Sequence, residues 1–565
     1  MRNSGLLVLR FVLPCLMLVA CMATDSPTIK SSTRDLRDVQ VTIAPDKAYL
    51  RSRQSVTFRA VVAGAKGQRV HWSATQGTIT QAGVYTASGN GTATITAAWS
   101  HNRRIKGTAI AAIIAPPVAH STARTDQNVE QLPSTMPAWG GLTGVSTKWC
   151  NPAFSNLCTI RATDGQTALL APQATLQTAD SGEMALWAVD SRHVIVKGTG
   201  GGKYVIGFDP ATEIVTRTPL TFGYDAVLFS RTDPQTMFAL DGTKVRVIQA
   251  AVDWSAVASD TLLFDFASCL PDGFQVTWNG TFGAVLGDDS FRAAFSNTLG
   301  QGSGVYMAAY QTEAIGSVGP GCYVLNTQEG SVTGPNGPLG SIDDGVNPLA
   351  DRFTMHEGGG GQNPQYSMVS YSVRQPKGES GCLAGDCKAN NPYVWEIGTT
   401  HLRTCPIQCD GHSAKGYNYW AMGKKYRLHG YLDPKAPLTP LVDFPPDFPD
   451  QHGSWINTTE DDAPPAFLVS TDVTPIIPYP TWGYDEVLAV ASDGSQTTWR
   501  FGQTLNSGKS IYFIVQNAVG VVSQDGRWVA FASDMCGAGC PKPAPLGYEA
   551  DGKTPRGDVF IMEAK

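Results

Sequence analysis

The chain has 565 residues, of which 42% are hydrophobic and 16% charged, with a formal net charge of −6. That length holds two to four domains and a large core, and the acidic balance argues against a nucleic-acid surface, which needs clustered Lys and Arg. The 59 glycines and 36 prolines favour a turn-rich, all-β protein.

The N-terminus carries Arg2 and Arg10, followed by an apolar run from Phe11 to Ala20. The run has about half the length that spans a bilayer, so residues 1–20 read as a signal peptide and not as a membrane helix. It ends in Leu18-Val19-Ala20-Cys21, which resembles the lipobox of bacterial lipoproteins. The resemblance implies a diacylglyceryl group on the thiol of Cys21 and an extracytoplasmic place in the cell envelope. With Met22 and no Asp after the cysteine, it also implies an outer membrane, if the cell has one. Each buried methylene adds roughly 0.8 kcal/mol of membrane affinity, so several acyl chains anchor firmly. Residues 21–37, rich in Ser and Thr, are expected to form a flexible tether.

Between residues 38 and 113, short runs alternate apolar and polar positions. Val39-Gln40-Val41-Thr42-Ile43, the run from Val56 to Val61, and Thr92-Ala93-Thr94-Ile95-Thr96 are predicted strands with one buried face. Trp72, in Val70-His71-Trp72-Ser73, is the aromatic expected to fill the centre, with His71 on the outer face. Together with Gly77-Thr78-Ile79-Thr80 and Gly83-Val84-Tyr85-Thr86-Ala87, this segment resembles the bacterial Ig-like (group 2) domain. The resemblance implies a two-sheet sandwich that acts as a spacer or in adhesion. It holds no cysteine, so packing alone must join the sheets. A linker over 114–140, rich in Pro, Ser and Thr, follows.

Residues 141–565 hold no amphipathic-helix pattern, but they do hold an internal repeat. A turn with Asp, Asn, Gly or Pro leads into a buried strand, starting near 190, 233, 288, 363, 416, 462 and 525. The clearest copy, Gln524-Asp525-Gly526-Arg527-Trp528-Val529-Ala530-Phe531-Ala532-Ser533, resembles the TolB-type, WD40-like propeller repeat. Intervals of about 43 to 75 residues hold four strands each, so the region reads as a seven-bladed β-propeller, with six or eight blades as alternatives. Cys158-Thr159-Ile160-Arg161-Ala162 is the candidate strand for closing the ring. Apart from Cys15 and Cys21, ten cysteines remain. Cys150 and Cys158, Cys382 and Cys387, Cys405 and Cys409, and Cys536 and Cys540 are close neighbours, and Cys269 and Cys322 form a wider pair. Five disulfides in an oxidising compartment are expected. The C-x2-C spacing of zinc knuckles is missing.

Three histidines stand at similar places in the repeat. His356, His412 and His452 precede the repeat turns of consecutive blades by about four to ten residues. Equivalent places elsewhere hold Trp278, Asn279 and Asn517. Positions related by the repeat converge on the channel of a propeller. Three imidazoles there could bind a divalent metal, or His412 or His452 could act as a general base beside a sugar carboxylate. The competing reading gives such histidines a structural hydrogen bond within their own blade. Tyr417 and Trp455 have faces suited to sugar stacking, although aromatics along a propeller strand ordinarily fill the core. Tyr419 and Trp420 point to opposite faces, so at most one of them can meet a ligand. Gly411-His412-Ser413-Ala414-Lys415 lacks the second glycine of a hydrolase elbow, and it names no enzyme class.

The expectation is a lipid-anchored envelope protein whose propeller, carried on the spacer, binds a ligand, with a glycan as the candidate. A propeller-type polysaccharide lyase using the histidines or a divalent metal is the alternative, and an envelope protein-interaction scaffold the third.

Overall fold

A computed structural model describes residues 39–114 (without 52, 66 and 90), 120–139, 148–164, 176–177, 185–270 (without 199–200), 275–276, 284–285, 289–296, 306–342 (without 316 and 327–328), 363–369, 393–404, 414–422, 427–431, 437–471 (without 459–460), 476–508, 518–537 and 542–565 (without 543, 547 and 550). Apart from two short 3-10 turns, Pro152–Phe154 and Phe266–Ser268, the regular elements among these residues are strands.

Residues 40–114 form a β unit with its own core. Val70–Ala74, Gly91–Trp99, Lys106–Ile114 and Lys47–Arg51 make a four-stranded sheet, and Ser55–Thr57, Val84–Thr86 and Thr78–Ile79 a three-stranded one. Gln40–Ala44 pairs with Arg59–Ala63. Along Gly91–Trp99 the residues Ala93, Ile95, Ala97 and Trp99 are buried, which is the period of two that a half-buried strand requires. The run from Val56 to Val61 is divided at the buried Phe58, with one half in each of two sheets. The Phe58 amide donates to the Gly83 carbonyl at 2.8 Å. Gly83 has φ +85°, and a Cβ there would lie 2.1 Å from the Phe58 oxygen, so this turn admits only glycine. Phe58, Tyr85 and Trp99 fill the centre. Trp72 does not, contrary to expectation. It lies on the edge strand of its sheet, where one side has no neighbouring strand to cover it, and it is half-buried.

The rest of the chain builds seven antiparallel sheets in succession. Blade 1 holds Leu176–Gln177, His193–Gly198, Lys203–Asp209 and Ile214–Phe222. Blade 2 holds Ala226–Phe229, Thr236–Asp241, Lys244–Ala250 and Val257–Asp265. In blade 3, Gln275–Val276 and Ala284–Val285 both pair with Phe291–Ser296, followed by Tyr306–Gln311, Gly321–Asn326 and a hairpin, Ser331–Gly334 with Gly337–Ser341. Blade 4 shows Tyr366–Val369, Tyr393–Glu396 and Leu402–Thr404. Blade 5 comprises Ala414–Lys415, Tyr419–Met422, Arg427–Gly430 and Thr439–Pro440, and blade 6 Asp450–Ser454, Ala466–Thr471, Glu486–Val490 and Thr498–Gln503. Blade 7 takes Gly520–Val522, Trp528–Ser533 and Asp558–Glu563 from the end of the chain and Leu157–Arg161 from the beginning, with Lys148–Asn151 outermost. The closing strand is the one its sequence marked.

Each blade touches the next, and the last touches the first. His193 stacks on Trp254 with ring centroids 3.7 Å apart, and Phe264 on Tyr310 at 4.2 Å. Arg292 donates to the Pro364 carbonyl at 2.6 Å, and Tyr366 stacks on Tyr431. Asp462 holds the blade 5 turn, the Val522 amide meets Ser454 Oγ, and the Trp187 indole donates to the Val521 carbonyl at 3.0 Å. The result is a closed seven-bladed β-propeller, with no free sheet edge between the first and last blades.

The segment expected as a linker is strapped down over 120–139. His120 is buried among Phe467, Trp499 and Phe501, with Nδ1 3.1 Å from the Ala564 carbonyl. Burial pulls its pKa down to about 4, so the ring is neutral at physiological pH. Arg500 donates to the Asp126 and Asn128 carbonyls at 2.9 and 2.8 Å while forming a bidentate pair with Glu486. A stretch rich in Pro and Ser reads as a linker from composition. Here its backbone finds partners on blade 6 instead.

Candidate functional site: the two mouths of the ring

In a closed ring of antiparallel blades the connections fall into two sets. Turns between first and second strands, and between third and fourth, open on one mouth. Turns between second and third strands, and the links from blade to blade, open on the other. The first strands of blades 5, 6 and 7 lie against one another, which puts them at the channel.

The repeat read from the sequence is the first of these turns. Asp190 and Asp233 accept the amides two residues on, from Arg192 and Gln235, at 3.0 Å, as Asn363 does for Gln365. Asp525 does the same for Arg527 at 3.1 Å. In four blades one residue of the turn is left-handed: Ser191, Asp289, Asp462 and Gly526. Three of these blades also clasp the preceding one. Asp289 accepts from Ser230 Oγ, the Arg231 amide and Thr232 Oγ1 at 2.6–2.7 Å. Asp462 accepts the amides of Tyr417, Asn418 and Tyr419 and the Thr458 hydroxyl. Ser191 accepts the Asp525 amide at 3.2 Å, joining blade 1 to blade 7. Burial pushes the Asp462 pKa up to about 6 despite these donors. The buried Arg231, from the blade 2 turn, donates to the Ile456 carbonyl of blade 6 at 2.6 Å. Blades 2 and 6 stand on opposite sides of a seven-membered ring, so this side chain crosses the mouth.

The aromatics proposed for ligand contact at this mouth have other partners. Trp455 is fully buried, donates to the Pro464 carbonyl at 2.8 Å and belongs to the core between blades 5 and 6. Tyr417 is half-buried, its amide held by Asp462. Trp420 is buried against Tyr431, whereas Tyr419 is exposed, so the two face opposite ways as their alternation requires.

His452 lies in the first strand of blade 6, opposite Val469, and is 3% exposed. Its companions His356 and His412, and likewise Trp278, Asn279 and Asn517, lie outside the described residues, as does Cys21. Among the described residues no group of three His, Cys, Asp or Glu side chains is placed to hold a metal. Of the cysteines, Cys150–Cys158 and Cys269–Cys322 are disulfides, and Cys536 is also disulfide-bonded. Cys382, Cys387, Cys405, Cys409 and Cys540 fall outside the described residues.

The other mouth carries a buried polar group that the sequence did not disclose. Asp485, ahead of the third strand of blade 6, accepts from Tyr479 Oη at 2.8 Å and from Thr504 Oγ1. Asp534, after the second strand of blade 7, accepts the amides of Ser507 and Cys536 at 2.9 and 3.1 Å and the Ser507 hydroxyl. Burial, with the Asp534 carboxylate adding to it, raises Asp485 to about 8. Burial also raises Tyr479, with Asp485 beside it. These groups join the blade 6 and blade 7 loops. Ser and Thr next to Asp are common in any turn, so only the fold brings these residues together.

No protein-family model and no curated protein sequence matches the chain. Among solved structures, the chain is similar to a luciferin-regenerating enzyme (10% identity, TM-score 0.27, covering 58% of this chain and 93% of that one). It is also similar to the PQQ domain of a pyranose dehydrogenase from Coprinopsis cinerea (9%, 0.26, covering 70% and 96%) and to apo AztD from Citrobacter koseri (11%, 0.25, covering 53% and 76%). At such scores the likeness carries no argument about activity. The propeller stands on its own sheets and contacts.

Proposed function

We propose that the chain is an extracytoplasmic lipoprotein, anchored through Cys21, whose propeller binds a ligand at the mouth opposite Arg231, with a glycan as the favoured class. One observation carries the placement of the site: the mouth formed by the repeat turns is clasped blade to blade and crossed by Arg231. In chain order His412 lies between Leu402–Thr404 of blade 4 and Ala414–Lys415 of blade 5, and Asn517 between Thr498–Gln503 of blade 6 and Gly520–Val522 of blade 7. Disulfides such as Cys150–Cys158 support an oxidising compartment, as export requires. Binding is preferred to lyase catalysis because His452 is buried in its strand. Two measurements test the reading. Cys21→Ser is expected to move the protein from the membrane to the soluble fraction, and a variant still in the membrane sinks the anchor. The soluble variant, titrated calorimetrically with neutral and uronic-acid polysaccharides, is expected to bind one class without forming unsaturated products. Product formation would select the lyase, and silence with every glycan would leave the scaffold.

A further inference from the structure

The charge of the molecule is divided unevenly. Residues 39–114 hold nine Lys and Arg and a single acidic residue, Asp46, although the whole chain is at −6. Part of this charge gathers at one pole of the sandwich. There Gln68, Arg69, His71, Gln81, Ser100 and His101 line an open groove of about 670 Å³. Arg103 Nη2 lies 3.5 Å from His71 Nε2, and Ser100 Oγ lies 3.1 Å from His101 Nδ1, so both imidazoles are held in place. Arg69, His71, His101, Arg103, Arg104 and Lys106 are all exposed.

Strand register fixes which pole this is. Val70 pairs with Trp99 and Ala98 with Lys106, so the groove lies at the hairpin end of the central strands. Gln40 pairs with Ala63, which leads through residues 64–69 into Val70, so the chain enters the sandwich at this same end. Arg51 pairs with Ile114 at the far end, eight steps along the strand from Lys106, or roughly 26–27 Å away. From there the chain leaves for the propeller, and Arg53 contacts Asp461 at 3.3 Å. The tether and the cationic groove therefore share one pole, and the propeller has the other.

We infer that this pole docks on anionic lipid headgroups, its arginines and histidines meeting the phosphates of the membrane that holds Cys21. The inference deepens the anchored reading and rests on it for bringing the surface near. Seventeen residues separate Cys21 from Val39, and a flexible coil of that length would span only about 20–25 Å on average. Basic residues attract an anionic leaflet over about one Debye length, ~8 Å at physiological salt, which is shorter than that span, so such a tether lets the pole reach capture range repeatedly without itself holding it there. Docking would orient the sandwich with its long axis away from the membrane and its propeller outermost.

The test uses the full chain with Cys21→Ser, so that no acyl chain contributes. It is expected to sediment with phosphatidylcholine vesicles containing phosphatidylglycerol and not with phosphatidylcholine alone, and to be released by added salt. Arg69→Glu with Arg103→Glu is expected to weaken this binding about tenfold or more. Arg53→Glu, at the propeller pole, is expected to leave it within about twofold, with circular dichroism verifying that each variant is folded. No binding to the anionic vesicles, equal loss from both poles, release by millimolar inorganic phosphate, or preference for a soluble anionic polysaccharide would each overturn the assignment. Whether the natural protein is lipidated is read separately, from detergent partitioning of the unaltered chain. Failure of the anchor and failure of the docking surface are thus distinguishable.

Discussion

Asp485 carries a consequence that can be measured at a single residue. Its carboxyl has an ordinary value of 3.8 and is raised to about 8 by burial. The folded state therefore holds a proton that the unfolded chain has already lost across this window. The stabilisation is complete below the unfolded value and disappears as pH climbs to the folded one, so this group makes stability fall between about pH 4 and 8. Asp485→Asn keeps one acceptor oxygen for the Tyr479 and Thr504 hydroxyls, its amide nitrogen donating to the other, but cannot ionise. Urea midpoints at pH 5 and pH 8 are expected to differ less in the variant than in the natural protein. An unchanged difference would mean that another group sets it. Tyr479→Phe, which removes one donor to the same carboxyl, is expected to cost about 1–3 kcal/mol.

Among the elements, the turns between first and second strands explain both what the sequence revealed and what it hid. Blades 1, 2, 4 and 7 carry their own Asp or Asn acceptor, and their repeats are plain in the sequence. The blade 5 copy, Gly416-Tyr417-Asn418, takes its acceptor from Asp462, more than forty residues later in blade 6. A pattern search along one repeat has no access to that partner. The same holds for the strap, whose carbonyls at Asp126 and Asn128 meet Arg500 some 370 residues on, and for Trp72, which occupies an edge that the alternation alone cannot distinguish from a centre. The seven blades and the closing strand followed from local pattern. The polar group around Asp485 and Asp534 needed the third dimension. Asp462→Ala is expected to destabilise the protein by about 1–3 kcal/mol, since three amides and a hydroxyl lose their acceptor together. Asp462→Asn is expected to recover only part of that: its one amide oxygen can serve one pair of these donors and it tolerates the left-handed backbone, but its amide nitrogen faces the other pair. Equal losses in the two variants would mean that the remaining acceptor oxygen adds nothing to the clasp.

For the whole molecule, the boundary that matters lies before the strap and not after it. The sandwich has its own core, and the ring closes through strands drawn from 157–161 and 558–563. Composition would place the start of the propeller near residue 141. Contacts place it earlier, since His120 packs under blade 6, Gln131 exchanges hydrogen bonds with Tyr479, and Gln503 donates to the Glu130 and Gln131 carbonyls. Removing these residues would expose the face of Phe467 and Phe501 that His120 covers and would leave the buried guanidinium of Arg500 without its backbone acceptors, a costly loss for a charged donor. A chain that begins at residue 115 is therefore expected to melt as the ring does in the full protein. One that begins at residue 140 is expected to melt several degrees lower and to be cut faster by protease, although every blade strand is retained. If the two shortened chains melt together, the strap adds nothing to the ring, and its hydrogen bonds merely replace those the same groups would make with water.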